Sequence, residues 1–351
     1  MDSREARKID HIKYALALPD GPLATGFSDV HIMHNCLPEL NREAVDLATN
    51  LAGIQLERPI IINAMTGGGK TLSDINRKIA IIARETHCAM AVGSQYGAII
   101  DNTNWESYRI ARKENPHGVI FANVSALATV EEAKTAVDML EAQALQIHLN
   151  VAQELVMAEG DRNFSGFLSA IESICNKLTV PVIAKETGCG MARTQVKALV
   201  NAGVRIIDIG GAGGTNFPAI EAARYKETNH ELNDWGIPTV ISLLEAVQVF
   251  GKNNGIIASG GLRSASDCLK AFALGASAVA MAGNLLRILN EGSIEAGCAY
   301  LIRLQSDLRD LMVLTASARV QDIGKTPVYF TGDTFQAIES LKIKVLCQML
   351  G

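Results

Sequence analysis

The sequence lacks the features by which membrane-spanning, zinc-binding and nucleic-acid-binding proteins are recognised. No uncharged stretch is longer than 16 residues, the length of residues 271–286 with their two glycines, whereas a transmembrane helix needs about 20 predominantly apolar residues. Its seven cysteines include no C-x-x-C pair, which removes the usual zinc and redox spacings. The formal net charge of −5 argues against nucleic acid as a partner, because binding a phosphate backbone needs a basic face.

The N-terminal residues and the cysteines also bear on the compartment. The chain starts MDSREARK, with no apolar run behind it, so we expect no signal peptide. An odd number of scattered cysteines is typical of reduced thiols rather than of a disulfide framework. We therefore expect a cytoplasmic protein without membrane or nucleic-acid partners. A small anionic ligand stays open, because it needs only a few local cations.

Apolar residues make up 48% of the 351-residue chain, and many of them recur in short runs. Runs that are apolar throughout indicate parallel strands buried on both faces. Eight such runs occur, at 59–63, 90–93, 119–123, 144–150, 181–185, 205–209, 255–259 and 278–282. Helical patterns separate them, for example at 73–86, 129–143 and 264–274. This alternation predicts an α/β protein with a (β/α)8 TIM barrel.

The predicted barrel spans residues 59–351 and follows an N-terminal extension of residues 1–58. We predict one helix in the extension, at 38–51. The longest connection lies between the sixth and seventh strands, whose centres fall near residues 207 and 257. A long loop after a barrel strand lies on the catalytic face and often acts as a lid.

Polar and glycine-rich segments follow the predicted strands, at the end of the barrel where active sites are found. After the seventh strand, Gly260 and Gly261 let backbone amides approach an anion, and Arg263 adds a charged fork. The loops after strands seven and eight commonly form a phosphate site, and we predict one here. Lys185 closes an apolar strand and is expected to face an anion or a site at the mouth of the barrel.

The predicted fourth strand carries the densest group of polar residues. Alternation places Gln146, His148 and Asn150 on one side of it, and Gln153 and Glu154 follow directly. An imidazole, three amides and a carboxylate therefore converge at one rim. Glu154 is suited to a hard cation such as Mg²⁺, which prefers oxygen ligands and shares them with phosphates. We interpret this cluster as functional rather than structural.

Two other classes of protein stay open from the residues alone. Residues 64–71 nearly fit the G-x-x-x-x-G-K-[ST] nucleotide loop of an NTPase, with Ala64 at the first glycine position. An NTPase also needs a strand that ends in a magnesium-binding aspartate, and the nearest candidate, Asp208, lies inside its strand. The other class is a binding protein without catalytic activity.

Taken together, the motifs resemble those of the type 2 isopentenyl-diphosphate isomerases, flavoproteins with an FMN-binding (β/α)8 barrel. The resemblance runs nearly end to end and lies in Arg7-Lys8-x-x-His11, 62–68 (INAMTGG), 93–95 (GSQ), His148-Leu149-Asn150-x-x-Gln153-Glu154, 185–190 (KETGCG), 213–215 (GGT), 258–263 (ASGGLR) and Ala282-Gly283. The glycine loops alone would fit many FMN barrels. The basic N-terminal motif and the fourth-strand cluster are far more specific.

The resemblance implies roles for individual residues. The flavin would be held by Ala64, Met65, Thr66, Ser94, Asn123, Lys185 and Thr215, and its phosphate by Gly261, Leu262, Arg263, Ala282 and Gly283. The substrate diphosphate would be bound by Arg7, Lys8, His11, His148 and Asn150. Gln153 would bind substrate beside the alkene, and Glu154 would bind Mg²⁺ that bridges the diphosphate. Gln153, Glu154 and His148 would form the catalytic group together with reduced FMN.

The implied reaction is a 1,3-allylic proton shift that interconverts isopentenyl and dimethylallyl diphosphate in isoprenoid biosynthesis. NADPH or NADH would reduce the flavin without being consumed stoichiometrically, and the assembly would be a homotetramer or homooctamer. Other FMN barrels are the enzymatic rivals. Hydroxy-acid oxidases need a histidine in a rim loop and dehydrogenases of the inosinate type need a cysteine there, and residues 210–217 contain neither.

Overall fold

The computed structural model of the protein describes residues 3–65, 67–227 and 230–345. The N-terminal extension begins with helix α1 (Ser3–Ala17). This helix ends before Pro19, because a proline disfavours the helical conformation of the residue that precedes it. Strand β1 (Val30–Ile32) follows, and then a hairpin of β2 (Thr49–Leu51) and β3 (Ile54–Leu56).

The helix predicted at residues 38–51 is wrong. The Asn41 side chain accepts a hydrogen bond from the backbone N–H of Glu43, which caps a single 3-10 turn, and the chain is extended again at Val45. Leu51 and Leu56, in the hairpin, are buried against the side chains that fill the barrel. Burial of these two leucines at the floor of the barrel favours a hairpin where the local pattern suggested a helix.

Eight parallel strands form the closed barrel, and each pairs with the next along the chain. They are β4 (Ile60–Ile62), β5 (Ala89–Ala91), β6 (Ile120–Ser125), β7 (Ala144–Leu149), β8 (Val182–Glu186), β9 (Ile206–Asp208), β10 (Ile256–Ala258) and β11 (Ala278–Met281). Strand β11 pairs with β4 through Val279 and Ile60, which closes the barrel. The eight strands lie at the predicted runs, and the predicted (β/α)8 barrel is confirmed.

Helices follow every barrel strand and surround the barrel. They are α2 (Lys70–Thr86), α3 (Tyr96–Ile100), α4 (Glu106–Glu114), α5 (Val130–Leu140), α6 (Val151–Val156), α7 (Phe167–Lys177), α8 (Arg193–Asn201), α9 (Phe217–Arg224), α10 (Thr239–Phe250), α11 (Ala265–Leu274), α12 (Gly283–Glu291) and α13 (Ile294–Leu314). The long connection after β9 contains α9, so it is partly helical. No helix within the described residues is long and apolar enough to cross a membrane.

The chain ends on the outside of the barrel with α14 (Val320–Ile323), β12 (Val328–Phe330) and α15 (Gly332–Leu341). Strand β12 pairs antiparallel with β1, with Val30 opposite Phe330. At the opposite end of the extension, α1 packs against α9 and α12. The extension therefore contacts the barrel at its floor, at its side and at its mouth.

The interior of the barrel has an apolar lower layer and a polar upper layer. The lower layer contains Ile61, Ala89, Ala91, Phe121, Ala144, Ile183, Ile206, Ile257, Ala278 and Ala280, together with Leu51 and Leu56. The upper layer contains the buried polar residues Asn63, Asn123, Gln146, Asp208 and Ser259. Since these polar residues lie toward the carboxyl ends of the strands, they form the base of the candidate site.

Candidate active site

A cavity of about 940 Å³, including its open mouth, lies at the carboxyl ends of the barrel strands. Nine of the residues assigned to the flavin by resemblance line it: Ala64, Met65, Lys185, Thr215, Gly261, Leu262, Arg263, Ala282 and Gly283. Lys185 lies in β8, and the others come from the segments that follow β4, β9, β10 and β11. The fold therefore collects in one place residues that are as far as 219 positions apart, between 64 and 283.

Two further residues assigned to the flavin, Asn123 and Ser94, are outside this lining. Asn123 is buried beneath it at the upper end of β6, in the polar layer. Ser94 is half-buried just after β5, and its carbonyl accepts a hydrogen bond from the Tyr108 hydroxyl. Thr66, the remaining assignment, lies outside the described residues, and all the flavin assignments stay predictions.

Glycines bring the loops after β9 and β10 into direct backbone contact. Gly261 has φ +92°, and a Cβ there would overlap the carbonyl of Gly213. A Cβ at Gly214 would lie 2.9 Å from the backbone nitrogen of Gly261. Only residues without a side chain allow this approach. The result is a narrow glycine wall of the kind that a flavin and its phosphate require, so the residues present fit FMN.

Two arginines and a carboxylate lie at the proposed phosphate end of the cavity. Arg263 and Arg287 both bind the carboxylate of Asp20, which follows α1; their N–O distances are 2.5 Å and 2.7 Å. Burial raises the pKa of Asp20, but hydrogen bonds from Arg287 and Arg263 outweigh it and lower this pKa. An anion is therefore stabilised here, beside the N-terminus of α12. Sequence reasoning identified Arg263 and missed Asp20 and Arg287.

Helix α1 carries the basic motif to the mouth of the barrel. The Lys8 ammonium lies against Gly67, where a Cβ would collide with it, and His11 lines the cavity. Arg7 lies 3.4 Å from the sulfur of Met157 and 3.8 Å from a carboxylate oxygen of Glu159. The structure thus brings all three residues of the motif to the catalytic face.

Glu221, on α9, is another residue of the candidate site that sequence reasoning missed. Its side chain is fully buried, and its Oε1 accepts hydrogen bonds from His11 Nε2 at 2.7 Å and from Gln153 Nε2 at 2.8 Å. Its Oε2 accepts from Arg224 at 2.5 Å. Burial raises the pKa of Glu221, but these donors, His11 first, lower it to about 2. A charged residue between buried apolar residues of α9 was the available signal.

The fourth-strand cluster surrounds the short helix α6. Asn150 precedes this helix, and its Nδ2 donates to Glu154 Oε1 at 2.8 Å and to Gln153 Oε1 at 3.4 Å. The other oxygen of Glu154 accepts from the backbone N–H of Asp161 at 2.9 Å. Gln153 is buried, whereas Glu154 is half-buried. The three predicted residues therefore lie together, with Gln153 held from two sides.

His148 lies deeper, at the end of β7, and its Nδ1 is 2.8 Å from Asn123 Oδ1. Burial and then the charge of Lys185 lower the pKa of His148 to about 4, so the ring is neutral at pH 7. Lys185 stands opposite His148 in the strand register, and its ammonium donates to the Glu186 carbonyl at 2.9 Å. These two residues carry one positive charge between them.

No group of three or more histidines, cysteines, aspartates or glutamates that could hold a metal occurs among the described residues. Glu154, the predicted Mg²⁺ ligand, thus belongs to no such group. Mg²⁺ is commonly held by one or two carboxylates, with the remaining positions filled by substrate phosphates and water. The donor set fits a magnesium ion that arrives with a phosphorylated ligand, and it does not fit a permanent structural metal.

Comparison with known proteins agrees with this geometry. Residues 105–329 match the family model described as FMN-dependent dehydrogenase. The chain is 47% identical to the isopentenyl-diphosphate delta-isomerase of Geobacillus sp. (strain WCH70), over 95% of each chain. It is 45% identical to the isopentenyl-diphosphate delta-isomerase of Symbiobacterium thermophilum, over 95% of this chain and 94% of that one.

Among solved structures, the fold is similar to that of mandelate oxidase, with a TM-score of 0.67 at 18% identity over 91% of this chain and 94% of that one. A Pediococcus acidilactici (putative) lactate oxidase gives 0.66 at 17% identity, over 92% of this chain and 87% of that one. Identities this low describe the fold alone. The sequence matches and the FMN family model together establish that the chain belongs to the isopentenyl-diphosphate delta-isomerases, an FMN-dependent family built on a (β/α)8 barrel.

Proposed function

We propose that this protein interconverts isopentenyl and dimethylallyl diphosphate at the mouth of the barrel, using reduced FMN and Mg²⁺. The observation that carries the proposal is the meeting of His11 and Gln153 on the carboxylate of Glu221. It brings the basic motif of the extension and the amide of the barrel rim to the same cavity. A ligand that consists of an alkene attached to a diphosphate needs both the basic motif and the amide.

The flavin is proposed to occupy the lined cavity, with Lys185 and Thr215 beside the ring system and Gly261–Arg263 and Ala282–Gly283 at the phosphate. When bound and reduced, FMN supplies the acid–base group that moves protons on the substrate. NADPH or NADH is proposed as the hydride donor that reduces the flavin beforehand. The contribution of the protein is to bind and orient the substrate and to exclude water around it.

Arg7, Lys8, His11 and Asn150 are proposed to bind the diphosphate. Guanidinium and ammonium groups give charge-assisted hydrogen bonds to phosphate oxygens, and α1 places Arg7 and His11 one turn apart on one face. Glu154 would hold a Mg²⁺ ion, which would neutralise negative charge on the diphosphate. Gln153 is proposed to lie beside the alkene, where its amide is oriented by Glu221 and by Asn150.

Replacing Glu154 by glutamine tests the metal assignment. We expect Glu154→Gln to lose Mg²⁺-dependent turnover while it keeps the visible flavin spectrum, because the amide retains the size of the side chain but not its charge. Glu131→Gln, whose side chain is 80% exposed on α5, is the matched control and should keep both. Full turnover in Glu154→Gln, or loss of its flavin, would contradict the assignment.

The redox state of the flavin gives a second test. Turnover is expected only after NADPH, NADH or dithionite has reduced the flavin under anaerobic conditions. Full-rate isomerisation by protein with FMN kept oxidised would show that the proposed chemistry is wrong. Dehydrogenation of a 2-hydroxy acid in the same preparation would favour the rival FMN oxidases instead.

We also propose a homotetramer or homooctamer, which sedimentation velocity would measure directly. A cytoplasmic location is proposed because the cysteines of the described residues are all free thiols, as is usual in a reducing compartment. Cys189 is among them, and burial raises its pKa to about 12, which makes it a poor nucleophile.

A further inference from the structure

A chain of buried polar side chains crosses the upper layer of the barrel and ends at His148. It begins at Asp208, which is fully buried at the end of β9. Asp208 Oδ2 accepts a hydrogen bond from Asn63 Nδ2 at 2.7 Å, and Oδ1 accepts from the Ser259 hydroxyl. The Ser259 oxygen in turn accepts the backbone N–H of Gly210 at 3.0 Å, so its hydrogen points to Asp208. Asp208 therefore acts only as an acceptor in this chain.

Three amides continue from Asp208, and each has one donor end and one acceptor end. Asn63 directs its NH2 to Asp208, so its Oδ1 faces the other way. That oxygen accepts the backbone N–H of Ala64 at 2.9 Å and Gln146 Nε2 at 3.0 Å. Gln146 must then present Oε1 to the next residue, and this oxygen accepts Asn123 Nδ2 at 3.1 Å. The orientation of each amide is imposed by the one before it.

The last amide decides which nitrogen of His148 carries hydrogen. Asn123 uses its NH2 toward Gln146, so the group 2.8 Å from His148 Nδ1 is the Asn123 oxygen. An oxygen acceptor at this distance requires a hydrogen on Nδ1. A neutral imidazole has a single N–H, and burial and Lys185 lower the pKa of His148 to about 4. Nε2 consequently keeps its lone pair at pH 7.

We propose that the buried chain Asp208–Asn63–Gln146–Asn123 is a positioning device that fixes His148 as the Nδ1–H tautomer, with Nε2 as a hydrogen-bond acceptor. The hydrogen on Nδ1 follows from the hydrogen bonds, whereas the use of this tautomer in isomerisation rests on the proposed function. A bare Nε2 can accept from an ammonium, hydroxyl or N–H group, but it cannot donate to a phosphate oxygen. His148 therefore differs in hydrogen-bonding role from the cationic residues Arg7 and Lys8, which can donate to phosphate oxygens, although the resemblance assigns all three to the diphosphate.

The tautomer can be read directly from the FMN-loaded protein without substrate. Protein labelled with [13C,15N]histidine is sedimented, and solid-state NMR correlates each ring nitrogen with its bonded carbons at pH 7. The signal of His148 is identified by its loss in His148→Gln. We expect a protonated Nδ1 and a bare Nε2. A protonated Nε2, or a doubly protonated ring, would overturn the proposal.

A variant of the chain then tests whether the amides impose the tautomer. Gln146→Met keeps nearly the same volume in the buried layer but removes the link between Asn63 and Asn123. We expect the single tautomer of His148 to become a mixture, with the flavin absorbance retained. Ser259→Ala is the matched control, because it removes a bond to Asp208 without reversing any amide, and it should keep the single tautomer.

An unchanged tautomer in Gln146→Met would show that the chain does not determine it, and an equal change in Ser259→Ala would show an unspecific effect of disturbing the layer. Either result overturns the proposal. Turnover is not used in these measurements. A protein that has the expected tautomer but does not isomerise isopentenyl diphosphate would count against the proposed function alone.

Discussion

Replacing Glu221 by glutamine tests whether one buried carboxylate joins the extension to the barrel rim. Three donors, from His11, Gln153 and Arg224, converge on its two oxygens at 2.5–2.8 Å. Glutamine has the same shape but one acceptor oxygen and one NH2 group. One face of the new amide must therefore place a donor against a donor, either toward Arg224 or toward His11 and Gln153.

The pKa of Glu221 indicates the size of the effect. A carboxyl whose pKa falls from 4.5 to about 2 in the folded protein stabilises the fold by about 3 kcal/mol, at about 1.4 kcal/mol per pKa unit. The folded-state pKa is depressed, so this stabilisation is present above about pH 4.5 and is lost as the pH falls toward 2. We therefore expect Glu221→Gln to lower the free energy of unfolding by about 2–3 kcal/mol.

Urea unfolding of FMN-loaded protein, followed by circular dichroism, measures this difference. Glu227→Gln is the matched control, since Glu227 is exposed just beyond α9, and it should unfold like the unmodified protein. In steady-state kinetics, we expect kcat to fall more than KM rises, because Gln153 loses one of its two fixed partners. If the free energy of unfolding of Glu221→Gln is within about 0.5 kcal/mol of that of the unmodified protein, and its kcat is unchanged, the reasoning is refuted.

Two further substitutions probe the glycine wall and the floor of the barrel. Gly261→Ala should lose nearly all bound flavin, because its Cβ would overlap the Gly213 carbonyl. The measurement is the flavin absorbance at about 450 nm relative to the protein absorbance at about 280 nm, and this ratio should fall nearly to zero. Gly53 has a similar φ of +98° but open space around it. Gly53→Ala should therefore introduce the same kind of backbone strain and keep its flavin. Leu56→Ala should lower the free energy of unfolding by about 2–5 kcal/mol, whereas Leu37→Ala, at a side chain that is 77% exposed, should leave it within about 0.5 kcal/mol.

The barrel strands were predictable because their signal is local. A parallel strand buried on both faces must be apolar throughout, and 60–62 (III) and 256–258 (IIA) satisfy this condition without reference to any other part of the chain. The site could be predicted in outline for the same reason. Functional residues of such barrels follow the strands directly, so finding the strands also located Lys185 and Arg263.

The extension was less predictable because its structure depends on distant contacts. Helix α1 is stabilised by packing on α9 and α12 rather than by a strong pattern of its own. The hairpin of β2 and β3 forms where a helix was expected, because Leu51 and Leu56 fill the floor of a barrel whose side chains come from many other segments. Local propensity is a weak guide where the burial of a short segment is decided elsewhere.

The missed residues of the site share one property, which is that their partners are remote in sequence. Glu221 binds His11 across 210 positions, and Asp20 binds Arg263 across 243 positions. No spacing motif links such residues, because their distance in space is set by how α1 and the link that follows it lie across the barrel. A lone carboxylate on an apolar helix face marks a residue for attention, but only the fold supplies its partner.

The pairing of β1 with β12, which lie far apart in the sequence, has a consequence for how the protein folds. Val30 pairs with Phe330, and Leu51 packs in the same cluster as Ala278 and Ala280. During synthesis, β1 and the hairpin of β2 and β3 therefore emerge before the strands that complete their contacts. Contacts over such sequence separations slow folding. The hairpin leucines stay exposed until the barrel closes, which makes the nascent chain most prone to aggregation just before its final strands are made.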